Sequence, residues 1–216
     1  IRDRRKYDAV FFDLDGTLSE SGEGILWCVR RTIEDLKIVV PENFRLESFI
    51  GPPLADSFYR LGLDDEKVKL GVKTYKSYYD TKGKYMNKAY DGIKELLERL
   101  REKGYKLGVA TSKYELFARQ IIDNIGLLQY FDFVSGATAN AERQKKIDVL
   151  NYGIKNLGAT PENSALIGDT KFDAEGARLC GCGFVGVLYG YGTRKEMEAE
   201  GAVNFAETAG KIEKFL

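Results

Sequence analysis

Two aspartates at the end of a short apolar segment are the residues of this chain most suited to chemistry. Asp13 and Asp15 follow the run Ala-Val-Phe-Phe at 9–12, which predicts a buried β-strand. Strand alternation places the two side chains on the same side of the backbone, and Gly16 then lets the chain turn away. Two unit charges about 4 Å apart repel by roughly 4 kcal/mol at an effective dielectric constant of about 20. The pair therefore favours a site that binds a divalent cation.

The remaining sequence predicts the elements that position this pair. From residue 91 onward, short apolar segments alternate with amphipathic segments of helical period. This alternation is typical of a parallel sheet with helices on both faces. The segment from about residue 18 to residue 88 contains only helical signals. We therefore predict an α/β fold: a doubly wound, Rossmann-like parallel-sheet core domain (1–18 and 89–216) with an inserted all-helical cap domain (19–88).

Further polar residues lie at the predicted carboxyl ends of the strands, where open parallel sheets bind ligands. Thr111 and Ser112 follow the strand at 107–110, and Asp169 follows a strand that ends at residue 168, with Asp173 four residues later. Lys146 opens the helix that precedes that strand. Together with Asp13 and Asp15, these residues are predicted to converge on one edge of the sheet, at the carboxyl ends of the strands. Oxygen ligands of this kind suit Mg²⁺ together with a phosphate group.

Each of these residues has a structural alternative when it is taken alone. Asp13 could be a turn residue, Asp169 could be a helix cap, and Thr111 and Ser112 could cap the next helix. Lys145 stands beside Lys146, so the spacing alone leaves two candidate lysines. The joint pattern, rather than any single residue, favours a phosphoryl-transfer site.

Composition excludes several other kinds of function. The 216 residues include 33 basic and 33 acidic side chains and no histidine. The balanced charge predicts neither a nucleic-acid partner nor a membrane partner, and the basic residues at 2–6 are interpreted as a solvated lead-in. The lack of histidine excludes Ser-His-Asp triads, phosphohistidine chemistry and histidine-ligated zinc. None of the three cysteines begins a Cys-x5-Arg phosphate loop, and a reduced, cytoplasmic protein is predicted, either monomer or homodimer.

Four segments resemble, in order, the four motifs of the haloacid dehalogenase-like hydrolase superfamily. They are Asp-Leu-Asp-Gly-Thr-Leu at 13–18, Ala-Thr-Ser-Lys at 110–113, Lys146, and Gly-Asp-Thr-Lys-Phe-Asp at 168–173. The resemblance extends from about residue 7 to residue 216 and is strongest to the helical-cap branch that contains phosphoglycolate phosphatases and 5'-nucleotidases. Segments 49–54 and 190–192 are also similar to members of that branch. The family spacing between the lysine and the following apolar pair favours Lys146 over Lys145.

This resemblance implies a Mg²⁺-dependent phosphatase that acts on a small phosphorylated metabolite through an aspartyl-phosphate. Asp13 would be the nucleophile, and Asp15 the general acid and then the general base. Lys146 would stabilise developing negative charge. The residues expected to contact the phosphate are Gly16, Thr111, Ser112 and Lys146. The residues expected to hold the metal are Asp13, Asp15 through its main-chain carbonyl, Asp169, and Asp173 directly or through a second shell.

Three alternatives stay open at this point. A sugar phosphomutase of the same superfamily shares the acidic pair, whereas dehalogenases usually lack an acid at the position of Asp15. A signalling receiver domain, or another non-catalytic phospho-acceptor or binding protein, combines similar residues, but receivers place their lysine last.

The predicted cap carries two notable features. Gly51, Pro52 and Pro53 form a stiff turn that we expect to face the active site and to influence substrate preference. The tyrosines at 75, 78, 79 and 85 have helical spacing, which favours packing within the cap over an aromatic substrate platform.

Overall fold

The computed structural model describes residues 5–216, so Arg2 and Arg4 of the basic lead-in lie outside the described residues. Eight strands are present in this part of the chain. In chain order they are β1 (Ala9–Phe12), β2 (Ser19–Glu20), β3 (Lys88–Ala89), β4 (Lys106–Tyr114), β5 (Phe133–Ala137), β6 (Ser164–Gly168), β7 (Gly183–Val187) and β8 (Phe205–Ala206).

Eight α-helices accompany these strands between residues 5 and 216. They are α1 (Gly22–Asp35), α2 (Leu54–Arg60), α3 (Asp65–Thr81), α4 (Ile93–Glu102), α5 (Glu115–Asn124), α6 (Lys146–Asn156), α7 (Lys171–Cys180) and α8 (Arg194–Ala199). Across residues 5–216, no helix is both long enough and apolar enough to cross a membrane.

Six strands form one parallel sheet in the order β5-β4-β1-β6-β7-β8. The chain moves outward from β1 through β4 to β5, and then returns to place β6 on the other side of β1. The strand order therefore reverses between β1 and β6, where a doubly wound sheet opens its ligand crevice. The predicted α/β core is confirmed.

Strand β1 is uniformly apolar because it is covered in every direction. It pairs with β4 on one edge and with β6 on the other. Val10 and Phe12 pack into the larger apolar cluster, whereas Ala9 and Phe11 pack into a second cluster with residues of α6 and α7. All four side chains are fully buried, as expected of a central strand with helices on both faces.

The helices α1, α2 and α3 belong to a helical insertion, residues 21–87, that leaves the core after β2 and returns at β3. β2 and β3 pair antiparallel, with Ser19 opposite Ala89 and Glu20 opposite Lys88. The prediction that residues 19–88 are all helical was therefore wrong at the two ends, where β2 and β3 lie. Two-residue strands are too short to show the alternation by which a strand is recognised in sequence. The division into core and cap domains at residues 19 and 88 stays a prediction.

Candidate active site

Three buried carboxylates meet at the carboxyl edge of the sheet. Asp13 directly follows β1, Asp169 directly follows β6, and Asp173 lies in the first turn of α7. One carboxylate oxygen from each residue lies within 4.8 Å of the other two. Because β1 and β6 are neighbours in the sheet, their ends bring together residues that are more than 150 positions apart in sequence.

Lys146 is the cation at this cluster. It is the first residue of α6, and its Nζ donates to Asp13 Oδ1 at 2.7 Å and to the Ala110 carbonyl at 2.9 Å. The same Nζ lies 2.8 Å from Asp173 Oδ1. Lys145 is exposed at the N-cap position of α6. The lysine beside the carboxylates is therefore Lys146.

The cluster carries more negative charge than this one lysine offsets. Burial raises the pKa of Asp13 to about 7, with a further contribution from Asp173, although Lys146 opposes the shift. Burial also raises the pKa of Asp169 well above its usual range. Burial would lower the pKa of Lys146, but the Asp13 and Asp173 carboxylates outweigh that effect and raise it. A divalent cation would offset the remaining charge of the carboxylates.

Asp173 provides the clearest test of whether the residues fit a metal ion. Its Oδ2 accepts from the backbone N–H groups of Asp169 and Thr170 at 3.1 and 3.0 Å, and from Thr170 Oγ1 at 2.9 Å. Its Oδ1 is buried, and its close polar contact within residues 5–216 is the ion pair with Lys146 Nζ at 2.8 Å. With one oxygen each from Asp13 and Asp169, all within 4.8 Å of one another, it forms the kind of carboxylate donor set that Mg²⁺ prefers. The three residues therefore fit a magnesium ion.

The Asp15 carboxylate lies apart from this group of three. Its Oδ1 accepts from Ser21 Oγ at 2.5 Å, and its Oδ2 lies 3.2 Å from Lys113 Nζ. Lys113 Nζ also donates to the hydroxyl of Tyr79, on α3, at 2.9 Å. Asp15 is thus linked to the helical insertion, and the metal-binding role of its main-chain carbonyl stays a prediction.

Thr111 and Ser112 lie inside β4 rather than after it. The strand was expected to end at residue 110, but it continues to Tyr114 with a shift in its register against β5. Thr111 Oγ1 accepts from the backbone N–H of Lys113 at 3.1 Å. The helix-cap alternative for Thr111 and Ser112 is wrong, since α5 begins only at Glu115 and has no side-chain cap. Both residues line the same cavity as Asp13.

Gly16 allows Asp169 to approach the first motif closely. Its φ of +86° belongs to the left-handed region, which residues other than glycine rarely adopt. A Cβ atom at this position would also lie 2.1 Å from Asp169 Oδ2. Any larger residue would therefore displace a carboxylate of the cluster.

Several residues that support the site were not predicted as site residues. Thr17 Oγ1 donates to Asp169 Oδ1 at 3.1 Å, and the backbone N–H of Tyr191 donates to Asp169 Oδ2 at 2.8 Å. The Tyr191 hydroxyl accepts from the N–H of Gly22, at the start of α1, at 2.6 Å. Their positions in the sequence could have indicated these roles. Thr17 lies within the first motif, Lys113, which contacts Asp15, lies within the second, and Tyr191 lies between the glycines at 190 and 192.

A cavity of about 180 Å³ extends from Asp13 to the helical insertion. Gly51, Pro52 and Pro53 lie in its wall, and their influence on substrate preference stays a prediction. Tyr75 and Tyr79 also lie in the wall, where their rings stack at a centroid distance of 5.5 Å. Both tyrosines are nearly fully buried, so they serve at once as packing of the insertion and as wall of the cavity.

Comparison with known proteins gives close relatives over most of the chain. The tyrosine-protein kinase PtkA of Mycobacterium tuberculosis is 37% identical over 183 residues, which are 85% of this chain and 62% of the relative. The chain therefore spans less than two thirds of the length of PtkA. A 5'-nucleotidase of Pseudomonas aeruginosa is 34% identical over 98% of this chain and 96% of its own length.

The fold and the family are supported over nearly the whole chain. The crystal structure of a protein described as a predicted phosphatase, from Clostridium acetobutylicum, has a TM-score of 0.92 and 35% identity, and it covers 98% of each chain. A family model described as haloacid dehalogenase-like hydrolase matches residues 10–187. These residues include the four segments identified in the sequence. The chain belongs to the haloacid dehalogenase-like hydrolase family.

Proposed function

We propose that the protein is a Mg²⁺-dependent phosphatase that hydrolyses monoesters of small phosphorylated metabolites through an aspartyl-phosphate. The observation that carries this proposal is the buried Asp13 carboxylate, held 2.7 Å from Lys146 Nζ beside Asp169 and Asp173. Relatives named 5'-nucleotidase and phosphoglycolate phosphatase support a phosphate ester as the substrate.

In the first half of the reaction, Asp13 attacks phosphorus while the bond between phosphorus and the ester oxygen breaks. Asp15 donates a proton to the departing alkoxide, which leaves as a neutral alcohol. Lys146 offsets the charge on the phosphoryl oxygens and on Asp13, and Thr111 donates a hydrogen bond to a phosphoryl oxygen. Gly16 and Ser112 complete the surroundings of the phosphate.

In the second half, water displaces Asp13 from phosphorus. Asp15 is now ionised, so it accepts a proton from the attacking water and returns to the state in which it began. The products are inorganic phosphate and the free Asp13 carboxylate. Asp13, Asp169 and Asp173, with the main-chain carbonyl of Asp15, would hold Mg²⁺. When bound, the metal supplies positive charge that polarises the phosphoryl group.

Release of phosphate from p-nitrophenyl phosphate tests the function and its dependence on metal. We expect steady release in the presence of Mg²⁺ and near-complete loss after treatment with EDTA, with recovery when Mg²⁺ is restored. The physical reason is that the three carboxylates repel one another and the phosphate until a cation offsets their charge. A folded protein that stays inactive with Mg²⁺ on every phosphate ester would contradict the phosphatase proposal.

A second candidate function is transfer of the phosphoryl group to a protein tyrosine. The observation that favours it is the 37% identity with a protein named tyrosine-protein kinase. Labelled ATP and a tyrosine-containing acceptor protein separate the two candidates. A kinase would place label on the acceptor, whereas a phosphatase would release it only as inorganic phosphate.

Substrate preference is expected to depend on the turn at residues 51–53. Gly51 has a φ of +115°, so alanine there would strain the backbone, and the test therefore changes only Pro52 and Pro53 to alanine. We expect selectivity among natural esters to change more than the turnover of p-nitrophenyl phosphate, because these prolines line the cavity. Pro41→Ala, at an exposed site outside the cavity wall, is the matched control. Equal effects on all esters would contradict a role in selectivity.

A further inference from the structure

One positive charge in the cavity wall has no acidic partner. The wall contains two lysines, Lys76 and Lys113, and two acids, Asp13 and Asp15. Lys113 pairs with Asp15 at 3.2 Å, and Asp13 pairs with Lys146 at 2.7 Å. Within residues 5–216, no carboxylate forms a salt bridge with Lys76. Its charge is therefore available to a ligand.

The side chain of Lys76 is also partly shielded from water. It is half-buried on α3, and its Nζ lies 5.1 Å from the centre of the Tyr114 ring. Burial lowers the pKa of Lys76, and no neighbouring charge opposes that effect. A partly desolvated ammonium group gains more from an incoming anion than a fully solvated one does.

The position of Lys76 on its helix makes it the polar member of an otherwise apolar and aromatic face. Val72, Tyr75 and Tyr79 line the cavity with it, at the spacing of one helix face. Lys73, on the same helix, is exposed and does not line the cavity. The nearby wall adds Phe49 and other apolar side chains. The face of α3 that lines the cavity thus offers one cation among apolar and aromatic side chains.

We propose that Lys76 binds a second anionic group of the substrate, on the side of the leaving alcohol. The preferred substrates are then phosphate monoesters that carry a further carboxylate or phosphate, rather than esters of neutral polyols. This inference rests on the proposed function, since it places the reacting phosphate at Asp13 in the same cavity. Against this face of α3, a neutral, hydroxyl-rich leaving group would lose hydrogen bonds to water and would form no ion pair with Lys76.

A pair of esters of nearly equal size, one with a carboxylate and one with a neutral amide, tests this subsite. The pair is 2-phosphoglycolate and its carboxamide, and the readout is the ratio of their kcat/KM values. A hydrogen bond to a charged group predicts a ratio of about 10 or more in the wild-type protein. We expect Lys76→Met to lower kcat/KM for the carboxylate by about 10- to 100-fold and to change the carboxamide little. Lys76→Arg keeps the charge and should keep the preference, and Lys73→Met is the matched control.

A second pair identifies the source of the negative charge. Ethylene glycol bisphosphate and 2-hydroxyethyl phosphate differ by a second phosphate instead of a carboxylate. A preference for the bisphosphate that depends on Lys76 assigns the subsite to phosphate, and a preference for phosphoglycolate that depends on Lys76 assigns it to carboxylate. If Lys76→Met leaves both ratios unchanged, the subsite proposal is overturned.

Binding measurements separate this proposal from the proposed function. Calorimetry with Asp13→Asn protein, with and without Lys76→Met, reports affinity for each ester without turnover. Weaker binding of the anionic esters in the double variant supports the subsite even if the wild-type protein hydrolyses nothing. Hydrolysis of p-nitrophenyl phosphate together with unchanged binding retains the phosphatase and removes the subsite. Lys76→Gln supplies the same comparison if Lys76→Met does not fold.

Discussion

Asp13→Asn is expected to lower the rate of phosphate release by about 1000-fold or more, because the amide cannot form the aspartyl-phosphate. The substitution keeps the size of the side chain, and Lys146 retains its contacts with the Ala110 carbonyl at 2.9 Å and with Asp173 at 2.8 Å. The fold should therefore persist. Steady-state release of phosphate from p-nitrophenyl phosphate measures the loss, and thermal unfolding verifies that the variant is folded.

Asp8→Asn is the matched control for this experiment. Asp8 is exposed and precedes β1 at the end of the strand opposite Asp13, so the same chemical change occurs away from the site. We expect its activity to stay close to that of the wild-type protein. A folded Asp13→Asn protein with undiminished activity would show that Asp13 is not the nucleophile. Activity lost equally in both variants would point to damage of β1 rather than of the chemistry.

The core of the fold was predictable because apolar strand segments alternate with clearly amphipathic helices. A fully apolar β1 and amphipathic helices such as α4 carry strong patterns that follow directly from which faces are buried. The strands β2, β3 and β8 have two residues each, and so short a segment has no period to read. The extension of β4 through Thr111 to Tyr114 depends on pairing with β5, which local sequence does not encode.

The candidate site was predictable where strand topology alone decides position. Parallel strands end on one edge of a sheet, so Asp13 and Asp169 could be placed together from their positions after β1 and β6. The choice between Lys145 and Lys146 required the rotation of α6, which the sequence constrains only through family spacing.

The contacts around Asp15 lay beyond such reasoning. Lys113 and Tyr79 are 34 positions apart and belong to the core and to the helical insertion. Their hydrogen bond depends on how the insertion packs against β4, which no periodicity reports. For the same reason, the sequence does not show that Lys76 lacks a carboxylate partner within residues 5–216. That conclusion requires the positions of the carboxylates in the folded protein.

Lys146→Met is expected to lower phosphatase activity by about 100- to 1000-fold, the effect of removing one preorganised charge from a transition state. Its Nζ is the group that contacts both Asp13 and Asp173, at 2.7 and 2.8 Å. Methionine keeps the apolar stem but leaves these buried carboxylates without their cation. We therefore also expect the free energy of unfolding to fall by about 3 kcal/mol in metal-free buffer. Mg²⁺ should restore part of that loss, since the ion offsets the same charges.

Lys145→Met separates the contribution of position from that of charge. The two lysines are adjacent and lose the same charge, but Lys145 is exposed and Lys146 is buried against the cluster. Kinetic assays with Mg²⁺ and denaturant unfolding with and without Mg²⁺ should show wild-type behaviour for Lys145→Met. Similar losses in both variants would mean that net charge, rather than the contact with Asp13 and Asp173, determines activity. A stable, active Lys146→Met protein would require another group to stabilise the phosphoryl charge, and Lys113, whose Nζ lies 3.2 Å from Asp15 Oδ2, is a candidate.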